Sequence, residues 1–482
     1  MIKFNGNILQ LGFGAVGKSF YEIVKNEIGF DNNRYFVIAA TTDTIDFYLE
    51  NGGIKENFSG EGLTKKDYKA RLGSILKEGD LLIDFSSQTG SSNIINWCAE
   101  NNVMYINTGD NDWPDEVWNG SFFDNSINVV KMQQDFANNP NINKHPIVIQ
   151  HGNNPGIVSH YAKMGLRYIV ETQFKDDKNL NDLAARGAYN LLARELGVKM
   201  VQISDKDEQQ ANIPFSPDVL YNTWCPESFY WECVMKAEFT IGSHEDIKGL
   251  DATEETDTEA GYIQLSKMGM EYNGLSYCPS GEFRGRLIPH EETFSISRLL
   301  EVWEDGKLVY RPTCLFVYQA CDIAEQFMQN INEGDPLPTN SQVMYYDKVT
   351  HGAEYVGTFL LGDKFDPVWL GNGVCDKLIA EMGYSSWQMP TVLPVAASAL
   401  GALCWMLQNQ NKKGLFFPED INEFDYIVGI AEKYIAPTIY QTFTKAELDK
   451  INFENLQVKD FITPARSSVT HLKVPAIKQA VK

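Results

Sequence analysis

Through the first third of the chain, short apolar runs alternate with segments whose apolar residues recur at helical spacing. Residues 7–11, 35–41 (YFVIAAT), 80–85 (DLLIDF), 103–107 (VMYIN) and 146–150 (PIVIQ) predict buried strands, and 17–28 predicts a helix. Alternation at this spacing predicts βαβ units and a parallel sheet. Residues 157–170 carry helical spacing after a Pro-Gly start. From about residue 184 the pattern changes. The runs 198–203, 228–241 and 307–318 are rich in β-branched and aromatic residues and are separated by charged turns, including the acid-rich stretch 244–258. They predict a mostly antiparallel sheet with a catalytic or dimerisation role. Residues 391–408 (TVLPVAASALGALCWMLQ) predict a buried helix, and the chain beyond Lys445 is polar and without a motif. No internal repeat or low-complexity linker interrupts the chain.

At 482 residues, two or three domains are expected. The start, MIKFNGNILQLGFGAVG, lacks the long apolar stretch of a signal peptide, and no apolar run reaches membrane-spanning length. The 8 cysteines form no CxxC pair and no metal-ligand spacing, so they read as reduced thiols of a cytoplasmic protein, with no metal expected. Lys and Arg number 41 against 64 Asp and Glu, a formal charge of −23. Such a field disfavours nucleic acid and anionic membrane as partners and concentrates cations. For a cytosolic enzyme, plain solubility accounts for that charge unless carboxylates also gather at a site.

The sharpest motif is Gly12-Phe-Gly14-Ala15-Val16-Gly17, which follows a predicted strand and opens a predicted helix. The first glycine of such a loop makes the tight turn and the second lets the backbone approach a pyrophosphate. The third permits close helix–strand packing, and the helix N-terminus offers free N–H groups to the phosphates. The expected fold is therefore α/β, an N-terminal Rossmann dinucleotide-binding domain joined to a mixed α+β domain. Asp43 is the nearest acid for the ribose hydroxyls, and no arginine sits beside it for a 2′-phosphate, favouring NAD; it could equally cap a helix starting at Ile45. Ser86 and Ser87 after the 80–85 strand, and Thr108-Gly-Asp110 after the next, fall at the sheet edge where ligands bind. His151-Gly-Asn153-Asn154-Pro155-Gly156 forms a further loop there, or simply a tight turn before the next helix.

From that HGNNPG loop onward the sequence resembles bacterial and viral homospermidine synthases. The likeness takes in Asn222-Thr-Trp224, Trp231-Glu232, Ile288-Pro-His290-Glu, Tyr310-Arg-Pro312, Glu354-Tyr-Val-Gly357 and Phe416-Phe-Pro-Glu. The order and spacing of these motifs make it specific, and it runs from the glycine loop to about Tyr440. The resemblance implies a homodimeric enzyme that joins two putrescines with release of ammonia and holds NAD as a prosthetic group. It implies domains over 1–156 and 157–445, part of the latter packing back on the first, and a tail over 446–482.

By the same resemblance Trp224 faces a cationic imine and Glu232 contacts a substrate amine. Asp205 stands where the family carries glutamate, and His290 is a candidate proton shuttle. Glu354 falls on another acidic position, and Asn154 contacts substrate or cofactor. The chemistry is coherent: diamine amino groups have pKa values near ~10.4, so the substrate arrives charged, and aromatic faces and carboxylates receive cations. One departure is Asn111-Asp112-Trp113, where the family pattern is glutamate-proline-tryptophan. Two other readings stay open. One is an NADPH-dependent reductase of the saccharopine or carboxynorspermidine type, for which Arg284, Arg286 or Arg311 would grip a substrate carboxylate. The other is a dinucleotide-binding homologue without catalysis.

Overall fold

The structure, a computed structural model, describes residues 1–113, 136, 138–142 and 144–465, apart from 88, 255, 331–337, 339, 386 and 387. Two compact units emerge. The first holds the described residues up to His160 together with Gly383–Pro437; the second holds Tyr161–Met382 and the described residues from Thr438 on.

The first unit is built on a seven-stranded parallel sheet. Its spatial order is Gly414–Phe416, Pro146–Val148, Met104–Asn107, Leu81–Asp84, Ile8–Leu11, Tyr35–Ile38 and Phe58–Ser59. Four of these strands are buried at every residue, the pattern of a parallel sheet covered on both faces. The chain leaves Ile8–Leu11 toward Tyr35–Ile38 on one side and later returns to Leu81–Asp84 on the other. That reversal of strand order opens a crevice at the carboxyl edge, where the glycine loop lies.

The outermost strand arrives from far along the chain: Gly414 pairs with Pro146 and Phe416 with Val148. The apolar helix Leu393–Gln408 and the helix Phe424–Ala431 belong to this unit too. A Cβ on Gly401 would meet the Ile427 carbonyl oxygen at 2.5 Å, so the two helices approach nearly backbone to backbone. Residues 383–437, inside the 157–445 span at sequence level, thus complete the dinucleotide unit.

The second unit centres on a seven-stranded mixed sheet ordered Tyr262–Met268, Lys236–Thr240, Thr313–Gln319, Val198–Asp207, Ala353–Gly362, Val368–Cys375 and Ile439–Thr442. Only Thr313–Gln319 and Val198–Asp207 run parallel within it. Side chains of a strand alternate between faces. On the central strand Gln202 Nε2 donates to the Leu275 carbonyl at 3.2 Å and Ser204 Oγ to the Tyr277 carbonyl at 2.8 Å. Both belong to a three-stranded sheet of Tyr272–Cys278, Gly281–Gly285 and Ile462–Pro464 stacked over that face. Val201, Ile203, Asp205 and Asp207 take the opposite face.

Three expectations change. The 228–241 run is not one strand: Pro226, at the first helical position, starts the helix Pro226–Val234, and the strand begins only at Lys236. Phe229 and Cys233, four apart, bury one side of that helix, a spacing the aromatic composition hides. The 307–318 run breaks at Arg311-Pro312 into a hairpin arm, Lys307–Tyr310, and the core strand Thr313–Gln319. The polar tail is partly structured: Ile462–Pro464 pairs with Tyr272–Gly274, while 466–482 lie outside the described residues. The acid-rich stretch is anchored as well, because buried Glu245 accepts from Thr313 Oγ1 at 2.6 Å and from the Val458 amide.

On the acid-bearing face of the second sheet, Gly165 of the helix Ile157–Gln173 packs so closely that a Cβ would lie 2.6 Å from Leu360 Cδ1. Gly165→Val should therefore lower stability by about 1–3 kcal/mol through overpacking, read as a fall in thermal midpoint by calorimetry. An unchanged midpoint would contradict this packing.

Candidate active site

In the first unit, the glycine loop divides its roles as the motif requires. Gly12 has φ +80°, and a Cβ there would meet the Phe85 carbonyl oxygen at 2.5 Å, so the turn admits no side chain. A Cβ on Gly17 would meet the Gly12 oxygen at 2.4 Å, which is close helix–strand packing. Around Gly14 there is nothing within 4 Å. That open space beside the N-terminus of the Ala15–Glu27 helix suits a pyrophosphate, with Ala15 and Val16 supplying the first helical amides.

The loop's shape is held by a residue that the sequence reading passed over. Gln10 is wholly buried in the first strand; its Nε2 donates to the carbonyls of Gly12 (2.9 Å) and Gly17 (3.0 Å) and its Oε1 accepts from Tyr35 OH at 2.5 Å. The signal was there: a glutamine inside the apolar run ILQL needs a reason to be buried.

The remaining loops of this edge are similarly wired. Asp84, buried at the end of its strand, accepts from the Ser86 amide (3.0 Å), Ser86 Oγ (2.5 Å) and Tyr105 OH (3.1 Å). Burial raises its pKa. Ser86 thus turns its hydroxyl inward, whereas Ser87 is exposed. Asp110 accepts from Asn107 Nδ2 and Gln150 Nε2, tying the loop after Thr108 to the loop before His151. In the latter, Asn153 is buried, Asn154 half-buried and the Asn154–Pro155 bond cis. Gly156 has φ +140° and a Cβ there would strike Gly152 backbone atoms at 2.0–2.5 Å. This loop is a tight turn that starts a helix, and it follows the strand Pro146–Val148 at the carboxyl edge of the sheet.

Asp43 is exposed, five residues past the end of its strand, and does not cap the next helix; Thr44 is the N-cap, without a side-chain bond. In the departing segment, Trp113 is buried and donates Nε1–H to Asn93 Oδ1 at 2.6 Å. Asn111 binds Ser91 and Ser86, leaving Asp112 half-buried between two anchored neighbours.

In the second unit, Asp205 and Asp207 share the face of the central strand opposite Gln202 and Ser204. Asp205 lies in register with Tyr318 on one side and Val356 on the other, and Asp207 with Glu354. All three acids are buried at 4% exposure or less. Burial first, then repulsion from Asp205 and Asp207, pushes the Glu354 carboxyl well above its ordinary range. Burial likewise pushes Asp207 up to about 6, against hydrogen bonds from Thr223 and Gln209. Beside them stands Trp224, half-buried, its ring edge-on to Phe229 at 6.4 Å and its Nε1 donating to Tyr318 OH at 2.8 Å.

A second cluster gathers around His290. Its Nδ1 meets Glu292 Oε2 at 2.5 Å, and its ring lies 4.6 Å from that of Phe316, two residues before Tyr318. Burial disfavours the charged imidazole, but Glu292, Glu232 and Glu291 outweigh it and hold its pKa well above 7. This raised pKa favours the imidazolium, a proton donor, over the neutral base. Glu232, on the helix Pro226–Val234, is raised to about 7 by burial, opposed by His290 and reinforced by Glu291 and Glu292. Its Oε2 and Glu292 Oε1 are buried with no hydrogen-bond partner among the described residues. Ligand atoms of His290, Glu291 and Glu292 lie within 4.8 Å of one another, close enough to hold a cation. The 2.5 Å contact to Glu292, however, already engages His290 Nδ1.

The arginines are engaged elsewhere. Arg286 pairs with Glu325 at 2.7 Å and donates to the Met270 carbonyl. Arg311 binds Glu301 and the carbonyls of Ile241, Thr258 and Glu259. Arg284 is exposed.

A parallel sheet with a glycine loop at its switch point, in a chain with an acidic and aromatic second unit, is the arrangement of a dinucleotide-dependent enzyme. Residues 8–119 match the family model described as the saccharopine dehydrogenase NADP binding domain. Over most of its length the chain is similar to homospermidine synthases, as the motifs indicated. It is 26% identical over 457 residues to that of Mesorhizobium japonicum (90% of each chain) and 25% identical over 449 residues to that of Blastochloris viridis (91% of each). The crystal structure of the Legionella pneumophila homospermidine synthase in complex with NAD superposes with TM-score 0.83 at 25% identity, covering 96% of this chain and 99% of that one. Apo saccharopine dehydrogenase from Saccharomyces cerevisiae shares the fold at TM-score 0.54 and 12% identity, covering 91% of this chain and 100% of that one.

The glycine geometry gives a paired expectation. Gly14→Ala should keep the thermal midpoint and weaken NAD binding by roughly tenfold or more, since the new methyl enters open space. Gly12→Ala should lower the midpoint itself, because a residue at positive φ gains a methyl against backbone. Calorimetric titration with NAD beside thermal melts separates the two; equal melts for both variants would contradict this division of roles.

Proposed function

We propose that the chain is an NAD-dependent homospermidine synthase, joining two putrescines into homospermidine with release of ammonia. The observation that carries this reading is the acid face of the second unit. Asp205, Asp207 and Glu354 are buried together beside a half-exposed tryptophan. Buried carboxylates need compensation: burial raises Asp207 to about 6 and, with repulsion from Asp205 and Asp207, lifts Glu354 well above its ordinary range. A diammonium substrate answers that need; a carboxylated one would not, and Arg286 and Arg311 are already saturated within the fold.

In this reading Gly12, Gly14, Ala15, Val16 and Gly17 hold the NAD pyrophosphate. Asp43, Ser86, Ser87, Thr108, Asn153 and Pro155 border the rest of that cofactor. NAD, when bound, supplies the acceptor and then the donor of the hydride. Asp205 and Glu354 receive one ammonium end of putrescine, and Glu232 receives an amine near His290. Asn154 contacts the substrate or the cofactor. Trp224 offers its ring to the cationic imine of the substrate, roughly 0.5–2 kcal/mol of stabilisation and more when desolvated, absent for the neutral amine. The His290 imidazolium gives its proton to the departing amine, leaving as ammonia, and Glu292 steadies the ring throughout. By the same likeness the working form is a cytoplasmic homodimer.

The decisive experiment supplies putrescine and catalytic NAD and follows polyamines by mass spectrometry. Homospermidine without net NADH is expected. Oxidation of NADPH with an amino-aldehyde and a carboxylated amine, and no homospermidine, would move the chain to the reductase reading. Trp224→Ala should lower turnover about tenfold with its melt unchanged; full turnover would remove that residue from the mechanism.

The pH dependence follows from Glu232, whose carboxyl titrates at about 7. A cation binds the ionised form, so the contribution of Glu232 to putrescine affinity should rise with pH by about tenfold per unit below that value and level off above it. Calorimetric titrations across about pH 5.5–8.5 read this, and Glu232→Gln should flatten the slope. A slope that survives the substitution would assign the titration to another group.

A further inference from the structure

We infer that Tyr318 is the positioning residue that fixes the plane of the Trp224 ring. The inference rests on reading Trp224 as the cation-facing ring. Trp224 lies in the short turn between the strand Val219–Asn222 and the helix Pro226–Val234, and a half-exposed ring on a turn has rotamers to choose from. Two hydrogen bonds, one part-buried and one buried, take that freedom away. Trp224 Nε1 donates to Tyr318 OH at 2.8 Å, and the preceding residue, Thr223, donates its Oγ1 to Asp207 Oδ2 at 2.6 Å. Asp207 is itself held by the amide and side chain of Gln209.

Tyr318 is a rigid anchor. It is 2% exposed, and its backbone is paired with Asp205 in the sheet and exchanges hydrogen bonds with Arg286. Its ring stacks on Phe316 at 6.1 Å with an interplanar angle of 11°, and Phe229 meets it edge-on at 5.9 Å. Phe316 in turn lies against His290. A continuous row, Trp224–Tyr318–Phe316–His290, thus joins the cation-facing ring to the proton donor along one strand. Burial and the neighbouring Asp205 and Asp207 keep the phenol protonated. The hydroxyl is neutral, accepts from the indole, and keeps its own proton beside the acid face.

A positioning role predicts a particular kinetic signature. Tyr318→Phe removes one oxygen and should lower kcat about tenfold with KM for putrescine held within about twofold, since the ring still binds but no longer sits squarely. Trp224→Phe keeps a ring and lacks the same N–H, so the double variant should be no slower than Trp224→Phe alone. Labelling with 5-fluorotryptophan gives a readout independent of turnover: the resonance lost in Trp224→Phe should shift and broaden in Tyr318→Phe. Additive losses, an unmoved resonance, or a kcat loss matched by a fall in thermal midpoint would each overturn the inference. If the unsubstituted protein makes no homospermidine, the proposed function fails separately, and the fluorine resonance still decides whether Tyr318 holds the ring.

Discussion

The second unit is organised around the cost of burying negative charge. Strand alternation sends Asp205 and Asp207 to one face of Val198–Asp207, and the antiparallel neighbour places Glu354 directly across from Asp207. Interior strands of a sandwich normally carry apolar residues here, and a few residues earlier this strand does so with Val201 and Ile203. Three carboxyls in such a place cannot all ionise without a counter-charge. Among the hydrogen bonds of the described residues, Asp207 is satisfied by neutral donors, while Glu354 Oε2 has none. Beside these acids the structure sets an indole and two stacked rings, Phe316 and Tyr318, whose faces suit a cation.

That histidine carries a consequence for mechanism. A neutral imidazole would be the natural base for an incoming ammonium. Contact with Glu292 and the nearby Glu232 and Glu291 favour the imidazolium instead, a proton donor. Glu232, raised to about 7, and Asp207, raised to about 6, are carboxyls whose charge changes near neutral pH. On the proposed function, acid and base roles divide between these neighbours by environment, His290 placed to release a proton and Glu232 to gain or lose one.

Much of this was legible from the residues, and the failures have physical causes. The glycine loop, its flanking strand and helix, and the strands at 80–85, 103–107 and 146–150 follow from local pattern, and the structure has them where the pattern put them. The helix carrying Glu232 was misread because aromatic content spoke for a strand while Pro226 spoke for a helix start. Gln10, Asp207 and Tyr318 were not singled out at all. Each acts through a partner distant in sequence, and no local motif encodes a hydrogen bond from Trp224 to a residue ninety-four positions away. The strand Gly414–Phe416 is equally invisible: three residues extend a sheet whose other members end at Val148.

The replacement of a family glutamate by Asp205 and the Asn111-Asp112-Trp113 segment bear on substrate rather than on reaction type. Asp205 retracts the charge by one methylene, on a strand whose backbone is fixed on both sides by Tyr318 and Val356. Trp113 meanwhile is a core residue, its indole spent on Asn93, and it holds the segment in place whatever stands at 112. On the proposed function, the acid face, Trp224 and His290 keep the means to stabilise a cationic imine, and the retracted charge of Asp205 bears on the distance to the far ammonium, the quantity that discriminates one diamine from another.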